Sequence, residues 1–71
     1  MSKQCTNFWQ VINRMHEWNF DFIKDTQKNR KTCLLFEGSI KVNMQHLIGY
    51  KFHVEKIGMR GGLDVLQVTR V

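Results

Sequence analysis

Residues 50–71 read YKFHVEKIGMRGGLDVLQVTRV, and this stretch decides the fold. Tyr50, Phe52 and Val54 alternate with Lys51, His53 and Glu55, the period of a half-buried strand. Arg60-Gly61-Gly62 then forms a glycine turn, read as a three-residue loop with a glycine in the left-handed region. That loop sets Met59 opposite Leu63, Ile57 opposite Val65, Glu55 opposite Gln67, Val54 opposite Val68 and His53 opposite Thr69. Apolar meets apolar and polar meets polar, as a true register requires. The apolar side swaps between Val54 and Ile57, so a bulge is expected near Glu55-Lys56.

Working outward, residues 32–36 are apolar and end at the turn signal Glu37-Gly38, while Ile40, Val42 and Met44 alternate with Lys41 and Asn43. Strands are therefore expected at 32–36, 40–44, 47–58 and 63–71. Upstream, Phe8, Val11, Ile12, Met15, Trp18 and Phe22 share one stripe of a helix, opposite Arg14, Glu17 and Asp21. Asn7 is a plausible N-cap, with Gln10 as the partner in a partial capping box. The helix covers either 7–17 or 7–24. Asn19 would fall inside the apolar stripe, and Trp18-Asn19-Phe20-Asp21-Phe22 alternates strictly, which favours a break and an extra strand at 18–23. The polar run 24–31 reads as a loop in both cases. The fold expected is α+β: one domain over 1–71, an N-terminal helix packed on a curled, barrel-like antiparallel sheet of four or five strands. In its order of helix then curled meander, the chain resembles small-barrel RNA-binding modules of the Sm type. That resemblance rests on element order, and fold analogy does not carry function.

Composition narrows the function classes. Seventy-one residues make one small domain with a thin core. This excludes a multi-step enzyme with its own cofactor domain. The longest apolar run, Cys33 to Phe36, is far short of the ~20 residues of a membrane-crossing helix. The first five residues lack the apolar stretch of a signal peptide. Two cysteines, Cys5 and Cys33, do not make a disulfide framework, so a reducing cytoplasm, of the source cell or of a host, is expected. Cys5, Cys33, His46 and His53 lack the spacing of a zinc knuckle or finger, so no metal and no other cofactor is expected. Eleven Lys and Arg against six Asp and Glu give +5, which raises encounter rates with polyanions or acidic proteins.

Three functions fit those bounds. In the first, a non-enzymatic regulator binds RNA or single-stranded nucleic acid. Its contacts come from Lys41, Asn43, Lys51 and His53 on the sheet side facing away from the helix, from Arg60 at a turn, and from Lys28, Arg30 and Lys31 in the loop. In the second, a small inhibitor of the phage or toxin–antitoxin type docks on an acidic host enzyme through Trp9 and Phe20, two aromatics outside the helical stripe. Self-association into a homo-oligomer would also shelter such rings. In the third, a small ribonuclease recruits His16, His46 and His53 with Lys51, Arg60 or Arg70. No Walker loop, Ser/His/Asp set or paired carboxylates point to other catalysis, and Arg60-Gly61-Gly62 is too short to cradle a phosphate. The non-enzymatic reading is preferred.

Overall fold

The computed structural model describes residues 4–71. Helix α1 (Phe8–Glu17) is followed by strands β1 (Asp21–Lys28) and β2 (Lys31–Gly38), a short helix α2 (Met44–Ile48), and strands β3 (Phe52–Arg60) and β4 (Leu63–Arg70). The four strands form one open antiparallel sheet in the order β1-β2-β4-β3. The fold is thus the expected α+β with a curled sheet, but the sheet does not close into a barrel and is not a simple meander. Strand β4 returns between β2 and β3, so β2, α2 and β3 make a crossover with β4 inserted in the gap.

Local chemistry sets both ends of α1. The Asn7 side chain accepts from the Gln10 N–H at 2.9 Å, and the Gln10 carboxamide reaches back to the Thr6 N–H, one residue earlier than in a standard capping box. At the other end Asn19 sits at φ 65, the Phe20 N–H donates to Met15 O at 2.9 Å and the Asn19 N–H to His16 O at 3.0 Å. This 6→1 and 5→2 pair is a Schellman stop, with Phe20 and Met15 meeting in the core. The break after Glu17 is therefore real, and the strand expected at 18–23 lies at 21–28.

Two expectations need correcting. Residues 24–31 are not a loop: they are most of β1, the first residue of β2, and a two-residue turn in which Asn29 (φ 51) and Arg30 (φ 65) both take left-handed backbone. Residues 40–44 are not a strand, and 47–58 is a strand only from Phe52. Asn43 caps α2 by accepting from the Gln45 N–H at 3.0 Å, and Met44, Leu47 and Ile48 then face the core at helical spacing.

The C-terminal hairpin follows the expected register at His53↔Thr69, Val54↔Val68 and Glu55↔Gln67. The bulge falls between Lys56 and Gly58, one step later than expected. Beyond it Gly58 faces Val65 and Met59 faces Asp64, replacing the Ile57–Val65 and Met59–Leu63 pairs. The turn is Gly61-Gly62, with both glycines at positive φ.

Both helices lie on the same side of the sheet. Val11, Met15, Met44 and Ile48 pack there with Leu34, Phe36, Phe52, Leu66 and Val68, joined by Cys5 and Phe20. The Cα envelope measures 31 × 31 × 16 Å, the thickness of one helical layer on one sheet. Among the described residues no helix is long and apolar enough to cross a membrane.

Candidate nucleic-acid interface

Antiparallel pairing puts the end of β1, the start of β2, the end of β4 and the start of β3 at one end of the sheet. Lys28 pairs with Lys31 across the Asn29-Arg30 turn, Arg70 pairs with Phe52, and the Val71 N–H donates to Lys51 O at 2.9 Å. Lys28, Arg30, Lys31, Lys51 and Arg70 therefore collect at this end. The nearest side-chain carboxylate in these strands is Asp25, three residues along β1 from Lys28. The far end sets Lys41, Lys56 and Arg60 against Glu17, Asp21, Glu37 and Asp64. Positive charge is segregated by end of the sheet, and by register Lys28 and Lys31 lie there on the side away from the helices.

Arg70 is held in place. Its guanidinium lies 5.7 Å from the Phe52 ring centroid and donates to Thr6 O at 3.1 Å. Phe52 is itself braced by Phe8, ring centroids 5.2 Å apart. Among the described residues the one ion pair is Lys56–Asp64 at 3.0 Å, so the five cations of the basic end carry no carboxylate partner.

Two shallow clefts meet at Val71. One of about 270 Å³ is lined by Phe8, Lys31, Thr32, Arg70 and Val71. The other, about 740 Å³, is lined by Gln45, His46, Tyr50, Phe52 and His53, with Gln4, Gly49 and Val71. Tyr50 stands 70% exposed at its rim. The turn after α2 creates this placement. Gly49 at φ 87 stops the helix, and the Gln45 carboxamide donates to Gly49 O and Phe52 O at 2.6 Å while accepting from the Val54 N–H at 3.1 Å. The Gln45 amide thereby occupies the free edge of β3 and fixes the start of that strand beside α2.

The expected contact residues divide accordingly. Lys28, Arg30, Lys31, Lys51 and His53 come together at the basic end. Arg70, considered only for catalysis, belongs with them. Lys41 lines a separate hollow with Glu17, Trp18 and Phe20, and Arg60 sits at the far hairpin turn. Asn43 is committed to capping α2. The expected cationic sheet face is corrected in part: Lys41 and Asn43 lie outside the sheet, whereas His53 lies on the side away from the helices, opposite Thr69. His46 and His53 share the larger cleft, whereas His16 is left exposed on α1. Sequence reasoning missed Tyr50 as an exposed aromatic, because strand alternation assigned it to the buried face with Phe52.

Of the two aromatics proposed for protein docking, Trp9 is 70% exposed on α1. Phe20 is 2% exposed and belongs to the core, a correction that follows from its place in the Schellman stop. Both cysteines are free and buried. Burial pushes the Cys5 thiol above its ordinary pKa, against the opposing pull of Arg14. Among the described residues no His, Cys, Asp or Glu cluster could hold a metal ion. The chain matches no known family model, and no curated protein or solved structure is significantly similar to it.

Proposed function

We propose that the protein is a non-enzymatic binder of RNA or other single-stranded nucleic acid, acting through the basic end of its sheet. The observation that carries this reading is the gathering of five cations at one end of the sheet, two of which, Lys31 and Arg70, line a cleft that adjoins at Val71 the cleft on whose rim Tyr50 stands. Lys28, Arg30, Lys31, Lys51 and Arg70 supply phosphate contacts, which set affinity without reading sequence. Tyr50 supplies a ring for stacking an unpaired base, an interaction of about 1–3 kcal/mol per base. His46 and His53 offer hydrogen bonds to a base edge or a sugar hydroxyl. A duplex presents no unstacked base to Tyr50, so single strands are the preferred ligand. Two buried thiols, one in the core and one outside it, suit a reducing cytoplasm.

Fluorescence anisotropy with a labelled short RNA tests this directly. Five phosphate contacts give a log–log salt slope of about −3.5 on a single strand. Lys28→Glu combined with Lys31→Glu should abolish binding, and Tyr50→Ala should weaken it about tenfold, while Lys41→Glu serves as the far-end control. Binding that ignores salt, or that falls equally in the Lys41 control, would overturn the assignment. Cleavage of the RNA that disappears in His53→Ala would replace it with the ribonuclease reading.

A second reading draws on Trp9 alone. An indole left 70% exposed is a natural hot spot for docking on a partner protein, as an inhibitor of a larger acidic enzyme would require. A nuclease-resistant partner, captured by the wild type and lost with Trp9→Ala, is the outcome that would favour it.

A further inference from the structure

The five cations of the basic end form an ordered row across the sheet. In the strand order β1-β2-β4-β3 they come as Lys28 ending β1, Arg30 in the turn, Lys31 opening β2, Arg70 ending β4 and Lys51 just before β3. All five are exposed. Tyr50, also exposed, follows at the β3 end of the row, whereas the β1 end, Gln27 to Lys31, carries no aromatic residue. The row runs along the rim of the sheet and keeps to neither face. Lys28 and Lys31 lie on the side away from the helices, and Arg70 lies on the helix side with its guanidinium over Phe52. The furrow made by the two clefts takes the same course, from Lys31 past Val71 to Tyr50.

Three strand spacings set the length of this row at about 14 Å. A stacked single strand advances about 3.4 Å per nucleotide, so five consecutive phosphates also cover about 14 Å. A ligand laid lengthwise along the outer face would instead run from the lysines toward Asp21, Glu37 and Glu55, which register places on that face. We propose that the ligand is a single-stranded segment of about six nucleotides, joined by five phosphates, that crosses the strand ends at right angles and stacks one end base on Tyr50. This rests on the function proposed above and adds to it the path, the length and the one base that is read. Each cation meets one phosphate. The inner bases stack on one another and not on the protein, so binding tolerates any base there. His46 and His53 share the cleft with Tyr50, which confines their hydrogen bonds to the same end nucleotide.

Unlabelled oligoadenylates of increasing length, competed against a labelled longer one, test the path. Affinity should climb with each nucleotide up to about six and beyond that gain only the statistical factor of extra registers. Lys28→Ala should move this plateau to about five, because it shortens the row at the end away from Tyr50. Removing the bases from both ends of the hexamer should weaken binding about tenfold, and removing one inner base less than about threefold. In Tyr50→Ala the end bases should matter no more than the inner ones, the coupling that a direct stacking contact requires. An affinity that climbs at every step well past six nucleotides, or equal losses from inner and end bases in the wild type, would overturn the path and leave nucleic-acid binding standing. Failure to bind at any length would overturn the function itself, and the path with it.

Discussion

Replacing Gln45 with Ala removes the clamp that fixes α2 to the free edge of β3. Three hydrogen bonds disappear: two donated to Gly49 O and Phe52 O at 2.6 Å and one accepted from the Val54 N–H at 3.1 Å. At about 0.5–1.5 kcal/mol net each they contribute roughly 1.5–4.5 kcal/mol. Freeing the half-buried Gln45 side chain returns up to about 1.5 kcal/mol of rotamer entropy to the other side of the balance. Water at an edge strand re-solvates part of what is lost, so the expected cost is about 1–3 kcal/mol. A domain of this size has about 4–11 kcal/mol in all. The midpoint of thermal unfolding should therefore fall by roughly 5–20 °C, read by circular dichroism. Amide exchange at Val54 should accelerate more than exchange in β4. Gln45→Glu is the sharper variant, since it keeps the acceptor but turns a carboxylate oxygen toward two carbonyls. It should be at least as destabilised as the Ala variant at neutral pH. Repulsion raises the folded-state pKa of the introduced carboxylate, so stability should return as pH falls and it gains a proton. Unfolding midpoints within about 2 °C of wild type for both variants, with Val54 exchange unchanged, would refute the clamp.

Phe20 and Trp9 should separate cleanly in urea. Phe20→Ala empties a core position and should cost about 3–5 kcal/mol, whereas Trp9→Ala should stay within about 0.5 kcal/mol of wild type. Equal losses would reverse the two assignments. The Asp64 carboxyl is held below the usual carboxylate range, first by the Ile40 N–H and then by Lys56. A depressed folded-state pKa stabilises the fold above the ordinary carboxylate value and is lost as pH falls through the lowered one. Urea midpoints followed below about pH 4 should show a drop in the wild type that is reduced in Asp64→Asn. Identical acid profiles would show that the Ile40 and Lys56 contacts do not hold in solution.

The parts of the fold that sequence revealed are those in which one periodicity governs both sides of a contact. The C-terminal hairpin is such a case: Val54, Glu55 and His53 find their partners because alternation on each strand leaves a single matching register. The bulge hides the rest, since the register beyond Lys56 depends on where the extra residue sits. Strand β1 was hidden by its position at the sheet edge. Lys24, Asp25, Gln27 and Lys28 are charged or polar because an edge strand is solvated and protected from mispairing by charge, and composition alone makes that look like a loop. The end of α1 was legible through Asn19, a residue that tolerates the left-handed C′ position. The same kind of signal was present at α2, where Asn43 precedes Met44, Leu47 and Ile48, but five residues of alternation concealed it. Lys31 and Arg70 are distant in sequence and line one cleft, whereas Lys41 and Lys51 are close in sequence and lie at opposite ends. The pairing of β2 with β4 decides this, and local pattern carries no information about it.

That pairing also explains where the cations collect. Ends of strands gather residues from turns, where backbone needs leave side chains free to be charged. Faces of central strands gather residues that must tolerate burial on both sides. With β4 inserted between β2 and β3, Arg70 and Lys51 are carried to the end that the Asn29-Arg30 turn already occupies. The same insertion makes β2 and β4 the two central strands and puts Leu35 and Val65, both half-buried, on the face away from the helices. The gathering of the cations at one end is thus a consequence of one topological choice. Lys28→Glu with Lys31→Glu should therefore silence the proposed binding end while leaving the fold intact, as read by circular dichroism.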